Sequence, residues 1–180
     1  MTRRHEAGAD DAADDPHCSL WAFSLAFYAR PDVPPLLLRL QDECGADVNM
    51  LLFGLWRAFA RKALALNDVR AIDARVAAWR SEVVVPARAL RRRIRARQQD
   101  AAAAAALYDS AKRLELEAER IQQSLMQAAA SAAPGSAAPS PGQAAVQNLE
   151  TCARVMGVDF PKPVVEALAA NLAAMADEVA

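Results

Sequence analysis

Three groupings of side chains carry what chemistry this sequence can offer. The first surrounds Asn49. Asp47 stands two residues earlier, where a carboxylate accepts the free backbone N–H groups that open a helix. Steps of three and four residues from Asn49 reach Phe53, Trp56 and Ala60, so its amide lies on an aromatic-lined helical face. A buried amide left unpaired costs about 1–3 kcal/mol. Asn49 therefore needs polar partners, either neighbouring helices or a small-molecule ligand, and Tyr28 and Trp56 are the aromatic residues expected beside such a ligand. The second grouping is Glu115 and Glu119, one helical turn apart; paired carboxylates at this spacing bind a metal or divide acid and base roles. The same pair also reads as an ion-paired flank, with Lys112, Arg113 and Arg120 near. The third is the run Arg88, Arg91, Arg92, Arg93, Arg95 and Arg97, which no acid interrupts. A basic helix releases counterions from a phosphate backbone, so Arg88, Arg91, Arg92 and Arg95 are the candidate anion-binding residues. The alternative is a solvated face partly paired with Asp100, Glu115, Glu117 and Glu119.

Beyond these groupings the sequence excludes more than it offers. It has no G-x-S-x-G, P-loop, G-x-G-x-x-G or H-E-x-x-H motif, and no D-D-x-x-D pattern. No catalytic residue, metal site or cofactor is expected. Di-iron bundles need Glu-x-x-His motifs, and neither His5 nor His17 is placed to supply one. His17 beside Cys18 does not make an activated thiolate, because adjacent helical residues point in different directions. Three widely spaced cysteines, Cys18, Cys44 and Cys152, suggest neither a disulfide framework nor zinc. The net charge of −1 creates no global attraction to nucleic acid or membrane. The longest apolar stretch, Val48 to Ala60, is interrupted by Asn49 and Arg57 and is too short to span a bilayer. A cytoplasmic setting is expected.

The elements that must position these residues are helical. Of 180 residues 44 are alanine, the strongest helix former, so an all-α fold is expected, an irregular bundle of four to five helices. Residues 1–15 read as a disordered acidic arm. A helix then starts at Asp15-Pro16 and runs through Tyr28, apolar on most sides and hence buried. Pro31, Pro34 and Pro35 break it before a short helix from Leu36 to Glu43, closed by Gly45. Asp47 caps a central helix from Val48 to about Leu66. Asn67 or Asp68 caps the next, with a stripe Val69, Ile72, Val76, Trp79 and Val83 that continues as Leu90 and Ile94 past Pro86, which is expected to kink the helix or split it in two. A long helix over about 101–130 carries Leu107, Ala111, Leu114, Ala118, Ile121, Leu125 and Ala128 in alternating steps of four and three, a coiled-coil-like seam. The domain plan is a bundle over 16–130, a flexible Pro/Ala-rich linker over 131–144, and a C-terminal helical hairpin over 145–180 that packs weakly on the bundle or on a partner.

Two blocks within this plan resemble a known family. Trp21-x-Phe23-Ser24-x-x-x-Tyr28 is followed by Leu40-Gln41-Asp42-x-x-Gly45-x-Asp47-Val48-Asn49-x-Leu51-Leu52-Phe53-x-x-Trp56, and Tyr108 to Leu125, with Glu115, Glu119 and Arg120, forms a second block. The chain over roughly 17–128 resembles a family of short, conserved, all-helical proteobacterial proteins of unknown function. The resemblance implies an all-helical bacterial cytoplasmic protein and brings no activity, substrate or catalytic residue.

These readings lead to a non-enzymatic protein-binding or adaptor module, with a tail presented to a protein partner by the linker. Two alternatives stand beside it: small-molecule binding in an inter-helix pocket near Asn49, and binding of nucleic acid or another anionic partner through Arg88–Arg97.

Overall fold

The computed structural model describes residues 19–97 and 104–179. Eight α-helices occur among them: α1 Leu20–Tyr28, α2 Val33–Cys44, α3 Val48–Phe59, α4 Leu66–Trp79, α5 Val85–Ala96, α6 Ala104–Ala128, α7 Pro141–Met156 and α8 Lys162–Glu178. Two short strands, β1 Lys62–Ala63 and β2 Ser136–Ala137, pair antiparallel. The fold is all-α.

α3 is the central helix, as its sequence predicts: of its twelve residues only Arg57 is not buried. Phe23 stacks on Phe27 and meets Phe59 of α3 at a tilt, each pair with ring centroids 5.5 Å apart. The expected helix start at Asp15-Pro16 lies outside the described residues, and the cap observed is Ser19, whose Oγ accepts the Ala22 N–H at 3.2 Å. α1 is not buried on every side. It turns Leu20, Phe23, Ser24 and Phe27 inward and leaves Leu25 exposed. α2 starts earlier than expected because Pro34 and Pro35 fall in its first turn, where no N–H is needed. Gly45 closes it in the left-handed conformation, φ 72°.

α3 stops at Phe59 rather than near Leu66; the chain turns at Ala60 and at Arg61, whose φ is +54°, and then extends as β1. Asn148 of α7 explains this: its Nδ2 donates to the Gly54 and Lys62 carbonyls at 2.8 and 2.9 Å, and its Oδ1 accepts the Leu64 N–H at 2.7 Å. α4 then begins at Leu66. Asp68 is not its cap but lies inside the first turn and accepts the Ala65 N–H at 2.9 Å.

Pro86 interrupts the next helix through a wider turn. Arg80–Val84 form a π segment in which the Val85 N–H reaches back to the Arg80 carbonyl. Proline clashes with the carbonyl four residues before it, and a wider turn relieves that clash. The extra residue re-phases the helix, so Val84 and Ala87 are buried while Leu90 is exposed, contrary to the expected Val83–Leu90 stripe.

Residues 131–179 are tied to the rest of the described chain at several points. Arg57 donates to the Ala133 and Pro134 carbonyls at 3.2 and 3.0 Å, and Ala138 N–H bonds the Arg61 carbonyl. Ser140 caps α7 within the expected linker, and Pro141 opens the helix. α7 and α8 contribute Leu149, Cys152, Val165, Leu168 and Leu172 to the same core as Phe23 and Phe53. Proline and glycine end a helix, but they do not stop a segment from pairing with a partner that tertiary structure supplies.

Candidate functional site

α6 carries the polar heart of the molecule. The expected seam divides: Leu107 and Leu114 are 57% and 53% exposed and Ile121 is exposed as well, whereas its alanines Ala111 and Ala118 face inward. The face turned inward holds Ala111, Glu115, Ala118, Gln122, Gln123 and Met126. Buried polar groups on such a face must be hydrogen-bonded, and they are. Asn49 Nδ2 donates to Gln122 Oε1 at 3.0 Å, and Gln123 Nε2 donates to Asn49 Oδ1 at 2.9 Å. Ser24 Oγ lies 3.0 Å from Gln123 Oε1, and Gln122 Nε2 donates to Asp47 Oδ2 at 2.8 Å. Gln127 Oε1 accepts the Leu20 N–H at 2.8 Å, tying α6 to the start of α1. Asp47 caps α3 by accepting the Asn49 N–H at 2.9 Å and also pairs with Arg80, which holds Asp73.

Beside this network the re-phased α5 turns Arg88 and Arg91 toward α6. Arg88 reaches Glu119 at 2.5 Å and Glu115 at 3.4 Å, and Arg91 binds Glu115 through Nε and Nη2. Glu115 is buried between them. Three of the four candidate arginines are thus paired with carboxylates of the same chain, Arg92 with Asp42 at 3.3 Å, and the fourth, Arg95, is exposed.

These groups line one cleft of about 290 Å³ between α1, α2, α3, α5 and α6. Its floor is Ser24, Asn49 and Gln123, its charged wall Arg88, Arg91, Glu115 and Glu119, and Trp21 and Tyr28 supply aromatic surface. Leu25, Leu38 and Leu116 also line it, 54%, 46% and 52% exposed, although each is large and apolar. With exposed leucines around a polar floor, the cleft is amphipathic.

The electrostatics follow from burial and pairing. Burial raises the Glu119 pKa above the ordinary carboxylate value; Arg88 opposes that shift, and Glu115 and Asp47 add to it. The Tyr28 hydroxyl is pushed up to about 12, by burial first and then by the Glu119 charge. Desolvation works to lower the Arg88 pKa, but its bond to Glu119 and the carboxylates around it outweigh that and raise it.

The structure therefore brings Tyr28, Asn49, Arg88, Arg91, Glu115 and Glu119 to one cleft. Asp47 lies in an adjoining recess with Asp73, Arg80 and Arg88. Trp56 does not line the cleft: it is buried near Phe53, ring centroids 6.0 Å apart, with its Nε1 unpartnered. Sequence reasoning missed Ser24, Gln122 and Gln123. The signals were there, a lone serine in the apolar run of α1 and a glutamine doublet amid the seam of α6. Among the described residues no three His, Cys, Asp or Glu side chains converge to hold a metal, and no helix is long and apolar enough to cross a membrane.

A model of a family described as a protein of unknown function (DUF2390) matches residues 19–126. No curated protein and no solved structure matches the chain.

Proposed function

The chain belongs to the DUF2390 family, of unknown function, and from its cleft we propose that it binds a small amphipathic molecule between α1, α3 and α6. One observation carries this reading: exposed Leu25, Leu38 and Leu116 surround a floor of buried, hydrogen-bonded polar side chains. The ligand's polar end meets Ser24 and the amides of Asn49 and Gln123, whose two amide nitrogens each have a second hydrogen to donate. Its apolar body covers the leucines and Trp21. Each of these half-exposed leucines adds about 1 kcal/mol when the ligand completes its burial.

A second reading, docking of a protein partner, is favoured by a different surface. Leu107, Leu114 and Ile121 repeat every seven residues along α6, exposed and outside the cleft. One pair of variants separates the two readings. The neutral dye N-phenylnaphthylamine, which fluoresces in apolar sites, is expected to bind saturably with one molecule per chain. Leu116→Arg, which puts a charge on the cleft wall, is expected to abolish the signal, and Leu114→Arg to leave it intact. Equal dye uptake by all three proteins overturns the cleft reading.

A further inference from the structure

Resting on that reading, we infer that the cleft selects an uncharged carboxamide, the head group of an acyl amide, which its floor meets with both donors and an acceptor. The hydrogen bonds of the floor do not exhaust its polar atoms. Asn49 Nδ2 gives one hydrogen to Gln122 Oε1, and Gln123 Nε2 gives one to Asn49 Oδ1. An amide nitrogen carries two hydrogens, so each of these residues keeps one that no described residue accepts. On the acceptor side, Ser24 has one hydroxyl hydrogen and two oxygens within reach, the Leu20 carbonyl at 2.8 Å and Gln123 Oε1 at 3.0 Å. Gln123 is buried, and its Oε1, with two lone pairs to fill, therefore holds at best a share of that hydrogen.

The charges of the wall are matched among themselves. Arg88 and Arg91 face Glu115 and Glu119, and the recess that shares this wall sets Arg91, Lys112 and Arg113 against Asp109, Glu115 and Glu119. The Tyr28 hydroxyl, pushed up to about 12, stays protonated at neutral pH and keeps the aromatic side uncharged as well. A charged head group entering the cleft gives up its hydration and finds no unpaired opposite charge in return. A carboxamide gives up less and complements the floor. Its carbonyl oxygen accepts the spare Asn49 and Gln123 hydrogens, and its N–H donates to Gln123 Oε1.

Probes of one chain length, hexanamide, hexanol, hexylammonium and hexanoate, isolate the head group. Each competes with N-phenylnaphthylamine for the intact protein at neutral pH. Water holds an amide more tightly than an alcohol, so a merely apolar cleft prefers hexanol. Hexanamide is instead expected to displace the dye at about ten-fold lower concentration than hexanol, the worth of one or two net hydrogen bonds, with both ions weaker still. N,N-dimethylhexanamide, which keeps the carbonyl and has no N–H, is expected to lose most of that advantage. Gln123→Met, similar in length and without the amide, is expected to bring hexanamide down to the level of hexanol while the dye still binds. Hexanol or either ion equal to or better than hexanamide on the unsubstituted protein overturns the inference and leaves the cleft reading standing. An undiminished hexanamide preference in Gln123→Met, or a dimethyl probe as good as hexanamide, also overturns it. Should Gln123→Met fail to fold, the dimethyl probe on the unsubstituted protein decides. If neither the dye nor any probe binds, both readings fall together.

Discussion

Asn49 is held by two glutamines that it holds in return. Gln122 and Gln123 each place one amide atom on it, and their remaining bonds run on to Asp47 and Ser24. A leucine of similar volume at position 49 would leave Gln122 Oε1 and Gln123 Nε2 buried and unpaired. Asn49→Leu is therefore expected to lower stability by about 1–3 kcal/mol for each orphaned group that fails to find water. The urea midpoint measures this, and a midpoint that stays put or rises would show that the network adds nothing to stability. Residue type pointed to Asn49 correctly, since an amide on an aromatic face needs partners. It misplaced Trp56, on the same face by periodicity but turned into the core, because helical phase says which side a residue is on and not which neighbour waits there.

At the level of elements, two junctions decide what the helices present. The π segment Arg80–Val84 adds one residue to the turn before Pro86 and so rotates everything after it by about 100°. That rotation takes Leu90 out to solvent and brings Arg88 and Arg91 against Glu115 and Glu119. The second junction is the crossing of residues 133–138 over β1. Gly135 has φ +62°, and a Cβ there would stand 2.9 Å from the Ala63 carbonyl oxygen. Gly135→Ala is expected to lower stability by about 2 kcal/mol from the left-handed backbone alone, with a further cost from the contact. Thermal unfolding checks this, and an unchanged melting temperature would mean that the β1–β2 crossing is not part of the cooperative structure.

Across the whole molecule, the C-terminal helices are structural. α7 lies so close to α3 that a Cβ on Gly54 would meet Cys152 Sγ at 3.3 Å, and burial pushes the Cys152 thiol up to about 12. α8 is tied to the end of α1 by Arg30 and Glu178 at 2.9 Å. The family match ends at residue 126, before either helix begins. A chain ending at residue 130 would expose the faces of Met50, Leu51 and Leu55 that lie in one core with Leu149, Val165 and Leu168. That truncation is expected to lose its cooperative urea transition while retaining helical circular dichroism, and a sharp transition at an unaltered midpoint would show the first 130 residues to be a self-sufficient domain.

Sequence alone determined the helical class, the burial of α3, the Asp47 and Gly45 caps and the need of Asn49 for partners. Each of these depends on forces acting within one turn of chain: propensity, capping and period. Tertiary structure decided which face of α6 turns inward, which carboxylates the arginines meet, and that residues 131–179 complete the core. Those outcomes compare alternatives that are nearly equal locally, a leucine stripe against a glutamine stripe, or a free Pro/Gly segment against one paired with β1. Long-range partners tipped the balance: Asn49, Arg88 and Arg91 for α6, and Arg57 and Asn148 for the C-terminal segment.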